Sequence, residues 1–221
     1  MPPPFRVRDQ DTPGIDLGGW GEDGSIDIPG TLTATGGIIT PVGGWDAADS
    51  GFKAWAFDPN EMQGATILVS QSLYLVRIPI RRAFTCTNIH ISIGTAGATL
   101  TAAQSLVGLI DATSGARLGI SADQSVDWAA NTGLRPPIPL TSPVALSAGY
   151  VYGAVLCNGT TPITPERGST RSPSGRNQGL MAAAQARWAV NGTAQTTIPT
   201  TNALASNDVT ALALGIWLGL S

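Results

Sequence analysis

"LYLVRIPIRRAFTCTNIHISIGT", residues 73–95, decides the fold. Tyr74, Val76, Ile78 and Ile80 alternate with Leu73, Leu75, Arg77 and Pro79, and after a short polar gap Ile89, Ile91 and Ile93 alternate with His90 and Ser92. A period of two places successive side chains on opposite faces, so both runs read as strands with the isoleucine face inward. Pro79 has no amide hydrogen to give a neighbour, which puts that end of the first strand at an edge or bulge. His90 is expected to face away from the core.

The pattern continues outward. Leu106–Asp111 and Ala116–Ser121 flank Ala-Thr-Ser-Gly, a loop of hairpin length in which Gly115 can take a positive φ. Residues 122–130, ADQSVDWAA, predict a helical turn, and Pro136, Pro137, Pro139 and Pro143 bracket a short strand around Ile138 and Leu140. Val144, Leu146, Tyr150, Tyr152, Ala154 and Leu156 are evenly spaced and predict one long central strand. Near the other end, Leu212, Leu214, Ile216, Leu218 and Leu220 share one face of a strand and Ala213, Gly215, Trp217 and Gly219 the other. Short strands with frequent turn residues and little helix predict an all-β fold, an antiparallel β-sandwich of jelly-roll type spanning residues 63–221. No repeat of propeller or solenoid length is visible.

Residues 1–62 read differently. Gly and Pro recur every few positions and break any period, which predicts an extended, irregular N-terminal arm. Its Trp20, Trp45, Trp55 and Phe57 are too scattered to form a core, so they are expected to anchor the arm on another surface. On this reading, removal of residues 1–62 leaves a folded sandwich. The arm carries ten of the fifteen carboxylates against three cations, whereas residues 62–221 hold nine arginines and five acids. Such asymmetry favours contact between unlike surfaces, including other copies of the chain. It does not suit nucleic acid, which requires a concentrated basic face.

The first residues, MPPPFRVRDQ, lack the apolar core of a secretion signal, and the apolar run 209–220 is too short to span a bilayer as a helix, so the expectation is a soluble protein without membrane insertion, made in a reducing cytoplasm. Cys86 and Cys157 fall in strand-like runs and read as buried free thiols, with a disulfide as the alternative.

Little chemistry is visible. With one histidine and no Gly-x-Ser-x-Gly elbow, no nucleophile–base pair suggests itself, and the expectation is a protein that is not an enzyme. No Cys or His spacing suits zinc, no phosphate loop occurs, and no cofactor is expected. Three features remain. The polar loop 160–178 holds Arg167, Arg171 and Arg176, which could grip an anion or an acidic partner. Trp217, flanked by Gly215 and Ala213, reads as a flat surface for another subunit. Trp128 beside Asp127 reads as a possible glycan contact, an indole face suiting a sugar ring; Asp123 and Asp127 are the only close carboxylates after residue 61.

The runs "YLVRIPIRRAFTCTNIHISIGTAGATLTAAQSLVGLIDATSGARLGISADQSVDWAANTG", with its turn GTAGATLTAAQ, and "LTSPVALSAGYVYGAVLCNGTTPIT", with its Gly149-x-x-Tyr152 strand, resemble a module of minor tail or fibre-like virion proteins of tailed phages infecting Actinobacteria. The resemblance covers roughly residues 70–220. It implies a noncatalytic, oligomeric sandwich, with a trimer favoured, displayed on a virion, anchored by its N-terminal part to other virion proteins and able to touch a host cell-surface glycan. A capsid decoration protein or head fibre is the first alternative, and a carbohydrate-binding module the second.

Overall fold

The computed structural model describes residues 46–168, 182–209 and 215–221, together with the backbone of two short strands nearer the start. The chain divides into two compact units, Met1–Gly44 and Trp45–Ser221. In the first, β1 (Gly19–Trp20) pairs antiparallel with β2 (Ile26–Asp27).

Among its described residues the second unit is all-β, apart from one six-residue helix and short 3-10 turns. Its strands are β3 (Ala54–Trp55), β4 (Tyr74–Ile80), β5 (Phe84–Thr95), β6 (Ala98–Asp111), β7 (Arg117–Ile120), β8 (Gly133–Leu134), β9 (Ile138–Leu146), β10 (Gly149–Thr161), β11 (Thr164–Pro165), β12 (Trp188–Val190) and β13 (Leu218–Leu220); α1 is Ser125–Ala130. One antiparallel sheet runs β12-β4-β10-β6-β7, and the other β11-β5-β13-β3, with β8 and β9 also paired to β5.

The inward faces of both sheets meet in one core. Tyr74, Val76, Ile78 and Ile80 of β4 and Val107 and Leu109 of β6 pack with Ile89, Ile91 and Ile93 of β5 and with Leu218 and Leu220 of β13. Both alternations in residues 73–95 are therefore as the sequence predicts. So is the hairpin, where Gly115 has φ 75° and a Cβ there would lie 2.1 Å from the Asn202 carbonyl oxygen. Pro79 also behaves as expected. Arg77 N–H donates to Arg187 O just before β12, and two residues on, on the same side, there is no strand left to pair with, so nothing asks Pro79 for a hydrogen.

The long central strand is a correction. Residues 144–156 form two strands in opposite sheets: β9 pairs with β5, while β10 lies between β4 and β6. Gly149 makes the crossing with φ 141°, a backbone that side-chain-bearing residues rarely adopt.

A second core covers the other face of β4, β10 and β6. Leu73, Leu75, Leu106, Ile110, Tyr152, Ala154 and Leu156, with Ala189 of the neighbouring β12, pack beneath Ala186, Ile198 and Leu204. The covering segment is clipped by polar contacts: the Tyr152 hydroxyl donates to Ala186 O at 2.7 Å, and Asn191 Nδ2 donates to Asn207 Oδ1 at 2.8 Å. Burial raises the Tyr152 pKa to about 12, so the phenol stays a donor. With both faces covered, β10 reads as a nearly continuous apolar run rather than an alternating one.

Candidate functional site

Residues 46–62, expected in the arm, are part of the second unit, and they cover the Trp217 face. β3 pairs with β13, placing Trp55 opposite Gly219 and Ala54 opposite Leu220. Phe52 stands edge-on to Trp217 at 5.4 Å between ring centroids and to His90 at 4.9 Å. Phe57 is buried, and its carbonyl accepts the Trp217 indole N–H at 3.0 Å. Trp217 is consequently 1% exposed, so it cannot offer a flat face to another subunit; the surface that Phe57 and its neighbours need is supplied by their own chain. Gly215 lies against the Trp188 ring, leaving 2.8 Å for any Cβ there. Ala213 falls outside the described residues. Trp55 is half-buried. Phe52 carried no sequence expectation, although it sits in the same aromatic run.

His90 is also a correction, since it is covered rather than facing open solvent. Its Nε2 lies 3.0 Å from Ser221 Oγ, and Asn88 Nδ2 donates to the same oxygen. Desolvation lowers the His90 pKa, which favours the neutral ring. A serine beside a neutral histidine has the two members of a nucleophile–base pair, but among the described residues no carboxylate is bonded to the other ring nitrogen to orient it. Cys86 and Cys157 are buried free thiols; burial pushes Cys86 up to about 11, far from a thiolate at neutral pH.

The α1 corner differs from a glycan platform. Trp128 is 0% exposed and belongs to the main core, so no sugar ring can reach its face. Asp127 is held by a two-point contact with Arg135: Nε donates to Oδ2 at 2.8 Å and Nη2 to Oδ1 at 2.6 Å, with Asn131 Nδ2 at 2.9 Å. The Arg135 contact keeps the Asp127 carboxyl below the usual range. Burial works against ionisation of Asp123, but hydrogen bonds from Ser125, Ala103 and Ser105 outweigh it, and this carboxyl too is depressed. Both carboxylates are structural clips with their oxygens engaged.

Arg167 is a clip as well. It bridges to Ile216, its Nε donates to Ala65 O at 3.0 Å, and its backbone exchanges hydrogen bonds with Gln63 and Gly64. Arg171 and Arg176 lie outside the described residues, as do Trp45 and the Trp20 side chain.

Among the described residues no three His, Cys, Asp or Glu side chains gather as metal ligands would, and no helix is long and apolar enough to cross a membrane. Among the described residues the large exposed apolar side chains are Ile67, Val69, Val126, Leu134, Tyr150 and, less so, Leu118. Ile67 and Val69 lie on an extended segment whose Thr66 and Leu68 amides bond inward to Pro165 and Ile163, so this segment adds an outer strand-like edge beside β11. Comparison of the chain with family models, with curated proteins and with solved structures finds no match in any of the three.

Proposed function

We propose that this chain is a noncatalytic structural protein of a tailed-phage virion, most simply a minor tail or tail-fibre protein. In this reading residues 45–221 form a rigid sandwich of jelly-roll type, and the acidic N-terminal segment joins it to other virion proteins. The observation that supports it is the use of the reactive side chains: His90, Cys86, Cys157, Asp123, Asp127 and Arg167 are each engaged in packing or in hydrogen bonds that hold one strand or turn to another. The phage-module resemblance supplies the setting. Self-association, most simply threefold, belongs to this reading; the Trp217 face is closed to it, and the exposed Ile67 and Val69 side chains are apolar surface that another copy could cover.

The test is to purify particles from cells producing the tagged protein and to locate the tag by immunogold labelling. Label along the tail or at its tip is the expected result. Label on the head turns the assignment to a capsid decoration protein or head fibre, and particles without label remove the virion reading altogether.

A further inference from the structure

Among the described residues, three that are not glycine hold a positive φ: Gln71 at 67°, Thr99 at 51° and Ala103 at 64°. Such a backbone is unfavourable for a residue with a Cβ and persists only where its surroundings enforce it. All three adjoin one pair of residues, Asn158-Gly159 of β10. Gln71 N–H donates to Asn158 Oδ1, and the Thr99 carbonyl would lie 2.7 Å from a Cβ on Gly159. Ala103 belongs to a bulge: Cys157 faces Ser105 and Gly159 faces Leu100, so residues 101–104 stand against Asn158 alone.

The Asn158 side chain holds this corner together. It is 2% exposed, and its Nδ2 donates to Gln104 Oε1 at 2.8 Å and to Gln195 O at 2.7 Å while Oδ1 accepts from Gln71. The next amide is engaged as well, Gly159 N–H donating to Ser70 Oγ at 3.2 Å. Residues 70–71, the 101–104 bulge and the turn at Gln195 are thereby tied to one point of β10. An asparagine followed by glycine is also chemically labile, because no side chain shields the glycine nitrogen as it attacks the asparagine Cγ. A bond forms from that nitrogen to Cγ, the Cγ–Nδ2 bond breaks, and ammonia leaves with the glycine amide proton. Water then opens the resulting five-membered imide. Opening at Cγ gives aspartate, and opening at the main-chain carbonyl gives isoaspartate, with an extra methylene in the main chain. In the fold the attacking nitrogen, the leaving amide and the carbonyl oxygen each have a hydrogen-bond partner.

We propose that Asn158 is a deamidation site gated by the opening of this corner, with water as the only co-reactant, and that its conversion prevents the corner from closing again. A carboxylate at 158 has no hydrogen for Gln195 O, a main-chain acceptor that cannot turn away, and isoaspartate lengthens β10 beside its partner β6. The enforced backbone at Gln71, Thr99 and Ala103 then loses what holds it. The site converts a transient opening into a permanent mark on the chain. This inference does not depend on the protein residing in a virion.

The experiment incubates the full-length protein at mildly alkaline pH, with and without denaturing urea, and follows Asn158 by peptide mass mapping with isoaspartate detection. The chain's other Asn-Gly pair, Asn191-Gly192, is the internal comparison. Asn158 should convert in urea, and at least about a hundredfold more slowly in the native protein, as expected for a buried, hydrogen-bonded site that reacts only when open. Gln104→Leu, which removes one acceptor, should speed native conversion of Asn158 about tenfold, the effect of about one hydrogen bond. It should change Asn191 by no more than about twofold, because Asn191 is tied to Ala203 and Asn207 instead. Chains deamidated at Asn158 in urea should refold to a lower urea midpoint than the parent or not at all. The proposal is overturned if Asn158 stays intact in urea, or if it converts as fast in the native protein as in urea. It is equally overturned if Gln104→Leu, folded by near-ultraviolet circular dichroism, leaves Asn158 at the parent's rate, or if the deamidated chain regains the parent's midpoint.

Discussion

Cutting the chain at residue 62 should unfold what cutting it at residue 44 leaves intact. The segment between these points provides β3, Phe52, Ala54, Ala56 and Phe57, and its backbone donates from Lys53 to Leu220 O and from Ala56 to Leu218 O. Loss of buried Phe57 alone forfeits about 1.5–3 kcal/mol of apolar burial. Without Phe57 O, the buried Trp217 N–H loses its acceptor, at about 1–3 kcal/mol. The two backbone bonds add about 1 kcal/mol each. The total, about 5 kcal/mol or somewhat more, is comparable with the whole stability of many domains, about 5–15 kcal/mol. Urea unfolding of residues 45–221 and 63–221, followed by near-ultraviolet circular dichroism, reads this directly. With a urea slope of about 2 kcal/mol per molar, the shorter fragment should have a midpoint about 2 M lower or no cooperative transition. Phe57→Ala in residues 45–221 should lose about 3 kcal/mol by itself. Equal midpoints for the two fragments would refute the reasoning and return residues 46–62 to a dispensable arm.

Two further outcomes follow from single positions. The His90 pKa is lowered in the folded state, so protonation favours the unfolded chain; stability should be full above about pH 6.5 and fall as the pH drops from there toward the depressed native value, a decline that His90→Gln abolishes in melting curves taken stepwise from pH 7.5 to 5. Gly115→Ala should lower stability by more than about 2 kcal/mol, because a positive φ is compounded by contact with Asn202 O, whereas Gly149→Ala, also at positive φ but with open space around it, should cost about 1–2 kcal/mol; chemical denaturation of both variants checks the order.

What the sequence disclosed was the part governed by local periodicity. Residues 73–95, the Gly115 hairpin and the turn at 122–130 each carry their signal within a dozen positions, and the structure places them as that signal implies. The β9–β10 crossing escaped because the even spacing of apolar residues passes unbroken through Ser147 and Ala148, so counting in twos cannot detect a change of sheet. The second core escaped for a related reason: β10 is apolar on both faces, and only the three-dimensional fold shows that residues 182–209 return to cover one of them. In the sequence Trp128 and Trp217 look like surface platforms, because an indole beside small residues reads the same whether its cover is a partner or the chain itself. For Trp217 that cover is Phe52, held by a two-residue strand too short to leave a periodic trace. The Asn158 corner was half legible, since the Asn-Gly pair is plain in the sequence, but Gln71, Gln104 and Gln195 join it only through the fold.

The seating of β13 between β5 and β3 bears on how the molecule comes into being. Leu220 pairs with Ala54 and with Ile89, so the sheet closes across roughly 165 residues, a separation whose loop entropy must be met before the contacts reward it. While the ribosome is still short of residue 218, a nascent chain has a long β5 with one flank unpaired along Ile89–Ile91 and with Phe52 lacking its Trp217 partner. Such a half-finished sheet is sticky toward any other strand, including the same strand on a neighbouring nascent chain. Yield should therefore depend on how many unfinished chains coexist more than native-state stability suggests, and weak induction at low temperature, which keeps nascent chains sparse and weakens apolar association, should favour soluble material.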